Sequence, residues 1–558
     1  MASSKAAKAE RYHNLLATHS GSAVRLAATK TKGRHVKAVV ALSSGSQVVL
    51  EHATAIVLLK HAMDEYCIHC VKKLPGPEEG DAGVSGSGLF SHVSKKGIVC
   101  KGCIKQTYYC SEECQEADAE RHSLECGVVR DLPGIAAMHA TDYALMRLVL
   151  AVLVTRAREA DARTDAEASR APTPSGFVFD LLSHRKTCDP KWLACVQACA
   201  QDLEQHLPDA LKIPVDDIVS LACRINANSH AIVDPTGHTN AEVGVGMFPL
   251  VAMLNHSCAP NCSFVSGTHG AMIVRTLRDV EAGEELCVSY VDLCTSRDER
   301  RGKLLETKHF WCLCSRCEPT SVSRSRIDAQ LDAILCQLCR DGESFYNPHD
   351  GYTCTRDPSH TTTQEEVTAL THAAERSHAA AYDLYKARHA ESALTAFARF
   401  AAAHEGIKLH RGHALLMNAH ATMMNAALRL RRFPEAVRSG LRVVEAMRPH
   451  VPQNWPELSD FEYRMGEVWE ILGTAVREGI IAPVELEGLM DLDGGYLESR
   501  QPSRLAEMIL RSYCLASFER CWKMRNVAYG IGHACVVEVG KQVERLRREF
   551  LSDPHSTL

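Results

Sequence analysis

The sequence predicts an α+β protein in which two strand-rich regions flank a helical insertion and a long helical region follows. Three observations support this class. Val- and Ala-rich stretches with turn signals at 33–60 and again at 228–293 indicate short strands. Many of the 24 cysteines fall into short clusters. From 362 to 558 almost every segment is alanine-rich with helical periodicity.

The length, charge and composition of the chain limit the classes of function that it can have. A length of 558 residues predicts about four domains, and a net charge of −5 argues against broad binding to nucleic acid. No apolar run approaches the length of a transmembrane helix, and the N-terminus lacks the apolar core of a secretory signal. Its basic, Ala/Ser-rich character fits either an organellar leader or a surface amphipathic helix. We expect a monomer in the cytoplasm, the nucleus or both, where thiols stay reduced and clustered cysteines indicate metal.

The first cysteine module spans 67–126 and is interrupted by a Gly/Pro/acidic loop at 75–88. Its candidate ligands form four short-spaced pairs: Cys67 and Cys70, Cys100 and Cys103, Cys110 and Cys114, His122 and Cys126. Zinc in structural sites takes four sulfur or nitrogen ligands, and a short-spaced pair supplies two of them. The module therefore predicts two structural zinc sites, against the ordinary alternative of scattered buried thiols.

A second motif, "NHSCAPNC" at 255–262, follows an apolar run. Taken alone, Cys258 fits a metal ligand, a nucleophile or a core thiol. A nucleophile next to His256 would also need an oxyanion site and a third, orienting group. Downstream lie "GEELCVSYVD" at 283–292 and "HFWCLCSRC" at 309–317.

These motifs together resemble a known family. "YYCSEECQ" before the His-x3-Cys pair is similar to the MYND zinc finger, and the three later motifs resemble the SET domain of lysine methyltransferases. The order resembles SET–MYND (SMYD-type) proteins over about residues 25–320. The implied domains are an N-terminal extension (1–24), SET N-terminal strands (25–66), a MYND finger (67–126), a helical SET insertion (127–227), the SET core (228–293), a post-SET segment (294–320), a linker (321–361) and a TPR-like helical domain (362–558).

The resemblance also implies how the metal ligands group. One zinc would take Cys67, Cys70, Cys110 and Cys114, a second would take Cys100, Cys103, His122 and Cys126, and a post-SET zinc would take Cys258, Cys312, Cys314 and Cys317. A further cluster of Cys336, Cys339 and Cys354 has His360 or His349 as a fourth candidate. It is either another zinc knuckle or a degenerate remnant.

The cofactor that the resemblance implies is S-adenosyl-L-methionine. The positions that match its binding residues are Gly33, Arg34, His35, Asn228, Asn255, His256, Tyr290 and Phe310. His35 stands where the family usually has a second glycine, and a side chain there could crowd the approach of the cofactor. Because His tolerates positive φ better than most other residues, we expect a weaker or shifted contact at worst.

The implied activity is methyl transfer to a lysine of a histone or another protein, with Tyr290 as the catalytic residue. A lysine with an ordinary pKa of about 10.4 requires roughly 4.6 kcal/mol to be neutral at pH 7, so the site must lower that pKa. The rival prediction is an adaptor that uses the MYND finger and helical surfaces around an inactive SET core. MYND fingers generally bind partners, often proline-containing peptides. DNA binding is less favoured, because acidic residues in the module match or outnumber basic ones.

Overall fold

The computed structural model describes residues 16, 23–75, 97–162, 173–234, 241–318, 322–339, 344–347, 351–486, 488–489 and 502–552. Nearly all of the N-terminal extension, the predicted loop from residue 76 onward and His349 lie outside these residues. The predicted α+β class is confirmed within them.

The strand-rich core combines short strands from both ends of the predicted SET region, and two further short strands, at 98–99 and 108–109, lie in the cysteine module. These strands are β1 (Val24–Thr29), β2 (Gly33–Ala38), β3 (Gln47–His52), β4 (Ala55–Leu58), β5 (Ile98–Val99), β6 (Tyr108–Tyr109), β7 (Ser229–Val233), β8 (Glu242–Met247), β9 (Asn255–His256), β10 (Cys262–Ser266), β11 (Ala271–Thr276) and β12 (Glu285–Val288). They form sheets in the orders β1-β2-β12-β9, β10-β11-β3, β4-β8-β7 and β5-β6.

The first of these sheets positions the candidate site. β12 pairs antiparallel with β2 and parallel with β9, so that Val288 lies opposite His256. Hydrogen bonding along these strands fixes "NHSC" beside "CVSY", although about 30 residues separate them in the sequence. Alternating buried residues such as Val36, Leu286 and Val288 anchor the sheet in the core.

The cysteine module continues directly into a long helix. α1 (Glu112–Met138) begins at Ser111, whose side chain accepts a hydrogen bond from the backbone N–H of Cys114. The helix contains Pro133 and runs through the predicted domain boundary between 126 and 127. The last zinc-ligand candidates of the module therefore sit on the same helix that packs against the helical insertion.

The insertion is a group of helices with apolar faces. Its helices are α2 (Tyr143–Asp161), α3 (Pro174–Phe179), α4 (Pro190–His206) and α5 (Val215–Asn228). α2 is the most deeply buried of them, with an uninterrupted buried run from Met146 to Val154. α5 ends at Asn228, at the edge of the candidate site.

After the core, the chain forms α6 (Arg297–Lys308), α7 (Val322–Ala329) and a small sheet. That sheet contains β13 (Ile334–Leu335), β14 (Phe345–Asn347) and β15 (Thr353–Cys354) in sequence order. His309, with φ +61°, ends α6 in a left-handed conformation and turns the chain toward Phe310.

The predicted helical C-terminal region is confirmed. Its helices are α8 (Gln364–Lys386), α9 (Ala390–His404), α10 (Ala414–Arg429), α11 (Phe433–Met447), α12 (Pro456–Arg477), α13 (Pro502–Ala528) and α14 (Ala534–Ser552). Each packs against the next along the chain. α12 and α13 approach so closely that a Cβ on Gly466 would lie 2.8 Å from the ring of Phe518, which explains a glycine inside a helix.

One apolar cluster joins this helical region to the post-SET segment. Cys258, Leu304 and Cys312 are buried in the same cluster as residues of α11, α12 and α13. None of the helices in the described ranges is long and apolar enough to cross a membrane.

Candidate functional site

A cavity of about 950 Å³ lies at the edge of the β1-β2-β12-β9 sheet. Its lining residues fall within 31–34, 181–184, 227–231, 252–257, 285–290 and 308–315, together with Phe264. The walls thus come from sheet loops, the end of α5, the end of α6 and the post-SET segment. No single element could form this cavity alone.

The cavity brings together seven of the eight sequence-predicted cofactor residues. They are Gly33, Arg34, Asn228, Asn255, His256, Tyr290 and Phe310. The exception is His35, which is fully buried, pairs with Ala27 in the sheet and is not among the lining residues. His35 therefore does not line the cavity, and its effect on the contact with the cofactor stays a prediction.

Gly33 begins β2 and lines the cavity. Its φ is +62°, a left-handed conformation that favours glycine, and nothing lies within 4 Å of the position a Cβ would take. The backbone here is therefore accessible to a ligand in the cavity.

The amide nitrogen of Asn255 is hydrogen-bonded to the β1–β2 turn and to β12. Nδ2 donates to the carbonyl of Lys32 and to Oε1 of Glu285, each at 3.1 Å. Glu285 in turn pairs with the ammonium of Lys32 at 2.5 Å. Both amide hydrogens of Asn255 are used inside the protein, so its side chain can offer a ligand only the carbonyl oxygen.

His256 connects the predicted catalytic residue to a cysteine cluster. Its Nδ1 accepts a hydrogen bond from the backbone N–H of Tyr290 at 3.0 Å, and its Nε2 lies 3.2 Å from Sγ of Cys258. Because Nδ1 accepts, the proton belongs on Nε2, which donates toward the sulfur. Burial lowers the pKa of His256 to about 4, so the ring is neutral.

Tyr290 is held by its hydroxyl as well as by its backbone. The hydroxyl donates to the carbonyl of Leu254 at 2.5 Å. Burial raises the pKa of Tyr290 well above its ordinary value. The side chain is therefore a neutral phenol whose hydroxyl hydrogen is used in a bond to Leu254. Phe310 and His256 extend this aromatic wall, with ring centroids 6.1 Å apart.

Lys308 is a lining residue that sequence reasoning did not single out. Its ammonium donates to the carbonyl of Ala227 at 2.8 Å and lies 5.6 Å from the centroid of the Tyr290 ring. Burial lowers the pKa of Lys308. The sequence offers no signal for this position, because it depends on how the end of α6 packs against α5 and the sheet.

The four cysteine-rich groups each assemble in space. Within each group the candidate ligand atoms lie within 4.8 Å of one another: Cys67, Cys70, Cys110 and Cys114; Cys100, Cys103, His122 and Cys126; Cys258, Cys312, Cys314 and Cys317; Cys336, Cys339, Cys354 and His360. The three groupings that the family resemblance implies are therefore the ones brought together. In the fourth group, His360 is the fourth ligand candidate beside Cys336, Cys339 and Cys354. The alternative, His349, lies outside the described residues.

Sulfur separations fit tetrahedral zinc. Zinc–sulfur bonds of about 2.3 Å place neighbouring sulfurs of a tetrahedron about 3.8 Å apart. The separations are 3.5 Å for Cys70–Cys110, 3.7 Å for Cys100–Cys126, 3.5 Å for Cys258–Cys317 and 3.6 Å for Cys339–Cys354. These cysteines form no disulfides. Four sulfur or nitrogen donors at this spacing suit a closed structural zinc site in each group.

A buried ionic network surrounds the post-SET cluster. Arg316 donates to the carbonyls of Cys258, Leu293 and His450 at 3.1, 2.8 and 2.9 Å, and it pairs with Asp328 at 2.6 Å. Asp328 also receives two hydrogen bonds from the fully buried Arg300. One guanidinium therefore links the cysteine cluster, the turn that follows β12 and the helical region.

Comparison with protein-family models finds a SET domain over residues 87–291. This match includes β7–β12 and the catalytic candidate Tyr290. The match therefore places a SET domain in the part of the chain that forms the cavity wall around Tyr290.

Curated relatives narrow the class. The "Histone-lysine N-methyltransferase SMYD3" of Homo sapiens is 28% identical over 299 residues, covering 52% of this chain and 60% of that protein. The "N-lysine methyltransferase SMYD2" of Homo sapiens is 25% identical over 298 residues, covering 53% and 60%. The SMYD2 of Sus scrofa is 27% identical over 240 residues, covering 43% and 52%. The chain thus spans about 60% or less of the length of these relatives. The SET-domain match and this similarity support the resemblance to SMYD-type proteins that the motifs predicted.

Proposed function

We propose that this chain is an S-adenosylmethionine-dependent protein-lysine N-methyltransferase that acts on histone or other proteins. The observation that carries the proposal is the cavity, which gathers seven sequence-predicted cofactor residues around Tyr290. The relatives named as lysine methyltransferases support the same reaction class.

S-adenosylmethionine would supply a methyl group carried on a positively charged sulfur. The accessible backbone at Gly33, the amide oxygen of Asn255 and the aromatic face of Phe310 suit a ligand with polar edges and a flat ring. These residues would hold the cofactor together with Arg34, Asn228 and His256. The sheet hydrogen bonds of β9 and β12 pre-position two of these side chains, which reduces the ordering that binding requires.

Tyr290 would act by orientation. Its raised pKa excludes a phenolate at neutral pH, so it is not a general base. Its hydroxyl hydrogen is committed to Leu254, which leaves the oxygen lone pairs to accept a hydrogen bond from an incoming lysine amine. Fixing the amine in line with the methyl group is worth a large part of the barrier in such displacements.

The cavity walls would also favour the neutral amine that methyl transfer requires. Burial between Tyr290 and Phe310 disfavours a charged ammonium. Lys308 already experiences this environment, since burial lowers its pKa in the same cavity.

The cysteine groups would hold structural zinc, four ions for each chain. Cys258 would be a zinc-bound thiolate that accepts from His256, whose other nitrogen accepts from the backbone of Tyr290. In this arrangement the post-SET zinc fixes the tyrosine through one imidazole. The MYND finger would bind partners, including proline-containing peptides, outside the cavity.

A protein substrate would dock at the mouth of the cavity. Three lining residues there are large, apolar and exposed, namely Leu182, Trp311 and Leu313. Exposed apolar residues around a cavity favour contact with a polypeptide. We expect a monomer in the cytoplasm, the nucleus or both.

Methyl transfer from labelled S-adenosylmethionine into histones and a protein lysate tests the proposal. We expect the zinc-loaded wild type to transfer label and Tyr290→Phe to lose at least about a hundredfold in rate, because the amine loses an orienting acceptor. Tyr382→Phe, at an exposed tyrosine of α8, is the control and should retain activity.

If no label is transferred, calorimetry with S-adenosylhomocysteine distinguishes a protein that cannot bind the cofactor product from one that lacked the right substrate. A folded, zinc-loaded wild type that neither transfers label nor binds this product would contradict the enzyme proposal and favour the adaptor with an inactive SET core. Binding without transfer would indicate that the right protein substrate was not offered.

A further inference from the structure

Lys308 places a primary amine of the protein itself inside the candidate active-site cavity. It is the last residue of α6, and the left-handed His309 that follows ends the helix. Its Nζ lies 5.6 Å from the centre of the Tyr290 ring and 2.8 Å from the carbonyl of Ala227. The aromatic ring proposed to orient a substrate lysine therefore already faces a lysine.

The surroundings of Lys308 provide no counter-charge. Across the part of the chain that the structure describes, Lys308 forms no ion pair, while the nearby carboxylate of Glu285 is paired with Lys32. The neighbouring histidines are neutral: burial lowers the pKa of His230 to about 3 and also lowers that of His184. Lys308 is partly buried, and its ammonium has a carbonyl acceptor but no counter-ion. Desolvating a charge without a counter-ion is costly, so a functional reason for a lysine here is worth seeking.

We propose that Lys308 is a methyl acceptor and that the chain methylates it in cis. This inference rests on the proposed methyltransferase function. The lone pair of neutral Nζ forms a bond to the methyl carbon of S-adenosylmethionine as the carbon–sulfur bond breaks. The electron pair of that bond stays on the sulfur of S-adenosylhomocysteine, and the extra proton on nitrogen passes to solvent.

Several features of the site favour this reaction. Burial lowers the pKa of Lys308, which increases the share of the nucleophilic neutral amine. The carbonyl of Ala227 holds one N–H group and so limits the directions in which the lone pair points. The cavity of about 950 Å³ leaves room beside Nζ for a methyl donor.

The test incubates the full zinc-loaded chain with S-adenosylmethionine that carries a deuterated methyl group. Peptide mass spectrometry should then find the label on Lys308, at a rate per chain that does not change with protein concentration. Lys308→Arg should lose this label completely. Lys303→Arg, on the exposed face of the same helix, is the matched control and should leave the label on Lys308.

A second readout does not depend on turnover. Trace acylation of wild type with an anhydride should modify Lys308 less when S-adenosylhomocysteine is present, whereas the reactivity of Lys303 should stay unchanged. Both variants should match wild type in zinc content and thermal midpoint.

The outcomes separate this inference from the proposed function. Label in added histones or lysate proteins without label on Lys308 would overturn the inference and leave the methyltransferase intact. Label only on other lysines of the chain, or a rate on Lys308 that rises with protein concentration, would also overturn methylation in cis. No label anywhere, with no protection by S-adenosylhomocysteine, would overturn both.

Discussion

Glu51 shows how a single buried residue supports the cavity from behind. On β3, its carboxylate accepts hydrogen bonds from the backbone N–H groups of Leu250 and Val251 at 2.9–3.0 Å. These residues begin the loop that leads to Asn255 and His256. Glu51 is buried, and burial raises its pKa to about 8, although the two backbone donors oppose the shift.

This raised pKa predicts a pH-dependent stability. The folded protein binds the proton of Glu51 more tightly than the unfolded chain, whose ordinary value is 4.5. Its contribution is therefore fully present below about pH 4.5 and is lost as pH rises toward 8. Relative to Glu51→Gln, wild type should lose roughly 3 kcal/mol of unfolding free energy between pH 5 and pH 8.

Urea unfolding of both proteins at the two pH values measures this difference. Glu120→Gln, at an exposed position on α1, is the control, and its unfolding free energy should change with pH almost as that of wild type does. If the unfolding free energies of wild type and Glu51→Gln change equally between pH 5 and pH 8, Glu51 is ionised in the fold. Its backbone donors would then outweigh burial.

The residues of the cavity were partly predictable from sequence. Gly33, Asn255, Tyr290 and Phe310 lie in short local motifs that can be recognised in the sequence, and all four line the cavity. Motif alignment could not show that His35 is buried, because burial depends on how β2 packs between β1 and β12. Lys308 was missed because its position depends on packing between α6 and the end of α5.

At the scale of elements, the small sheet β13-β14-β15 carries a compact cysteine group. Cys339 Sγ lies 3.3 Å from Nδ1 of His360 and 3.6 Å from Sγ of Cys354. Sequence spacing could not choose between His349 and His360, because the choice depends on how the strands bring residues on either side of β15 together. The short strands bury little apolar surface, which favours stabilisation by metal.

We therefore expect four zinc ions for each chain by inductively coupled plasma mass spectrometry. His360→Ala should lower the count by one and leave the other three, because each group has its own ligands. Cys195→Ser, at a cysteine of α4 outside all four groups, should retain four.

A wild-type count of three, unchanged in His360→Ala, would identify the group on the small sheet as a remnant without metal. Loss of more than one ion in that variant would show that the groups fold together and do not load independently.

The strands between residues 24 and 60 show which elements local sequence patterns predict and which they miss. The turn signals between 33 and 60 predicted two or three strands, and β2, β3 and β4 lie there. β1 also forms, at 24–29, although the sequence around it is basic and polar. Its pairing with β2 supplies the hydrogen bonds that a solitary polar strand would lack.

At the scale of the whole molecule, Arg316 joins parts of the chain that are far apart in sequence. It sits between two cysteines of the post-SET group and reaches the carbonyl of His450 in the helical region. Its side chain is mostly buried, and it shares Asp328 with Arg300. The cavity wall, the metal-ligand candidates and the C-terminal helices therefore depend on one guanidinium.

Arg316→Ala should destabilise the protein by roughly 3–5 kcal/mol, because it leaves buried acceptors without donors. Arg316→Lys should fall between this variant and wild type, since an ammonium cannot reproduce the planar fork. Urea midpoints measure both effects. Arg464→Ala, a surface ion-pair residue on α12, should change stability by less than about 0.5 kcal/mol.

Limited proteolysis of the same variants locates the damage. We expect faster cleavage between the post-SET segment and α8 in Arg316→Ala. A cleavage pattern identical to that of Arg464→Ala would contradict a linking role for Arg316.

The cavity walls come from stretches that begin at residue 31 and end at residue 315. During synthesis, the first residues that line the cavity are therefore made long before the last ones. At about 5–20 residues per second, a ribosome needs roughly 15–60 s to add the intervening chain. During that interval the nascent protein has no closed pocket for a ligand, and a translational pause before "HFWCLCSRC" would prolong this ligand-free period.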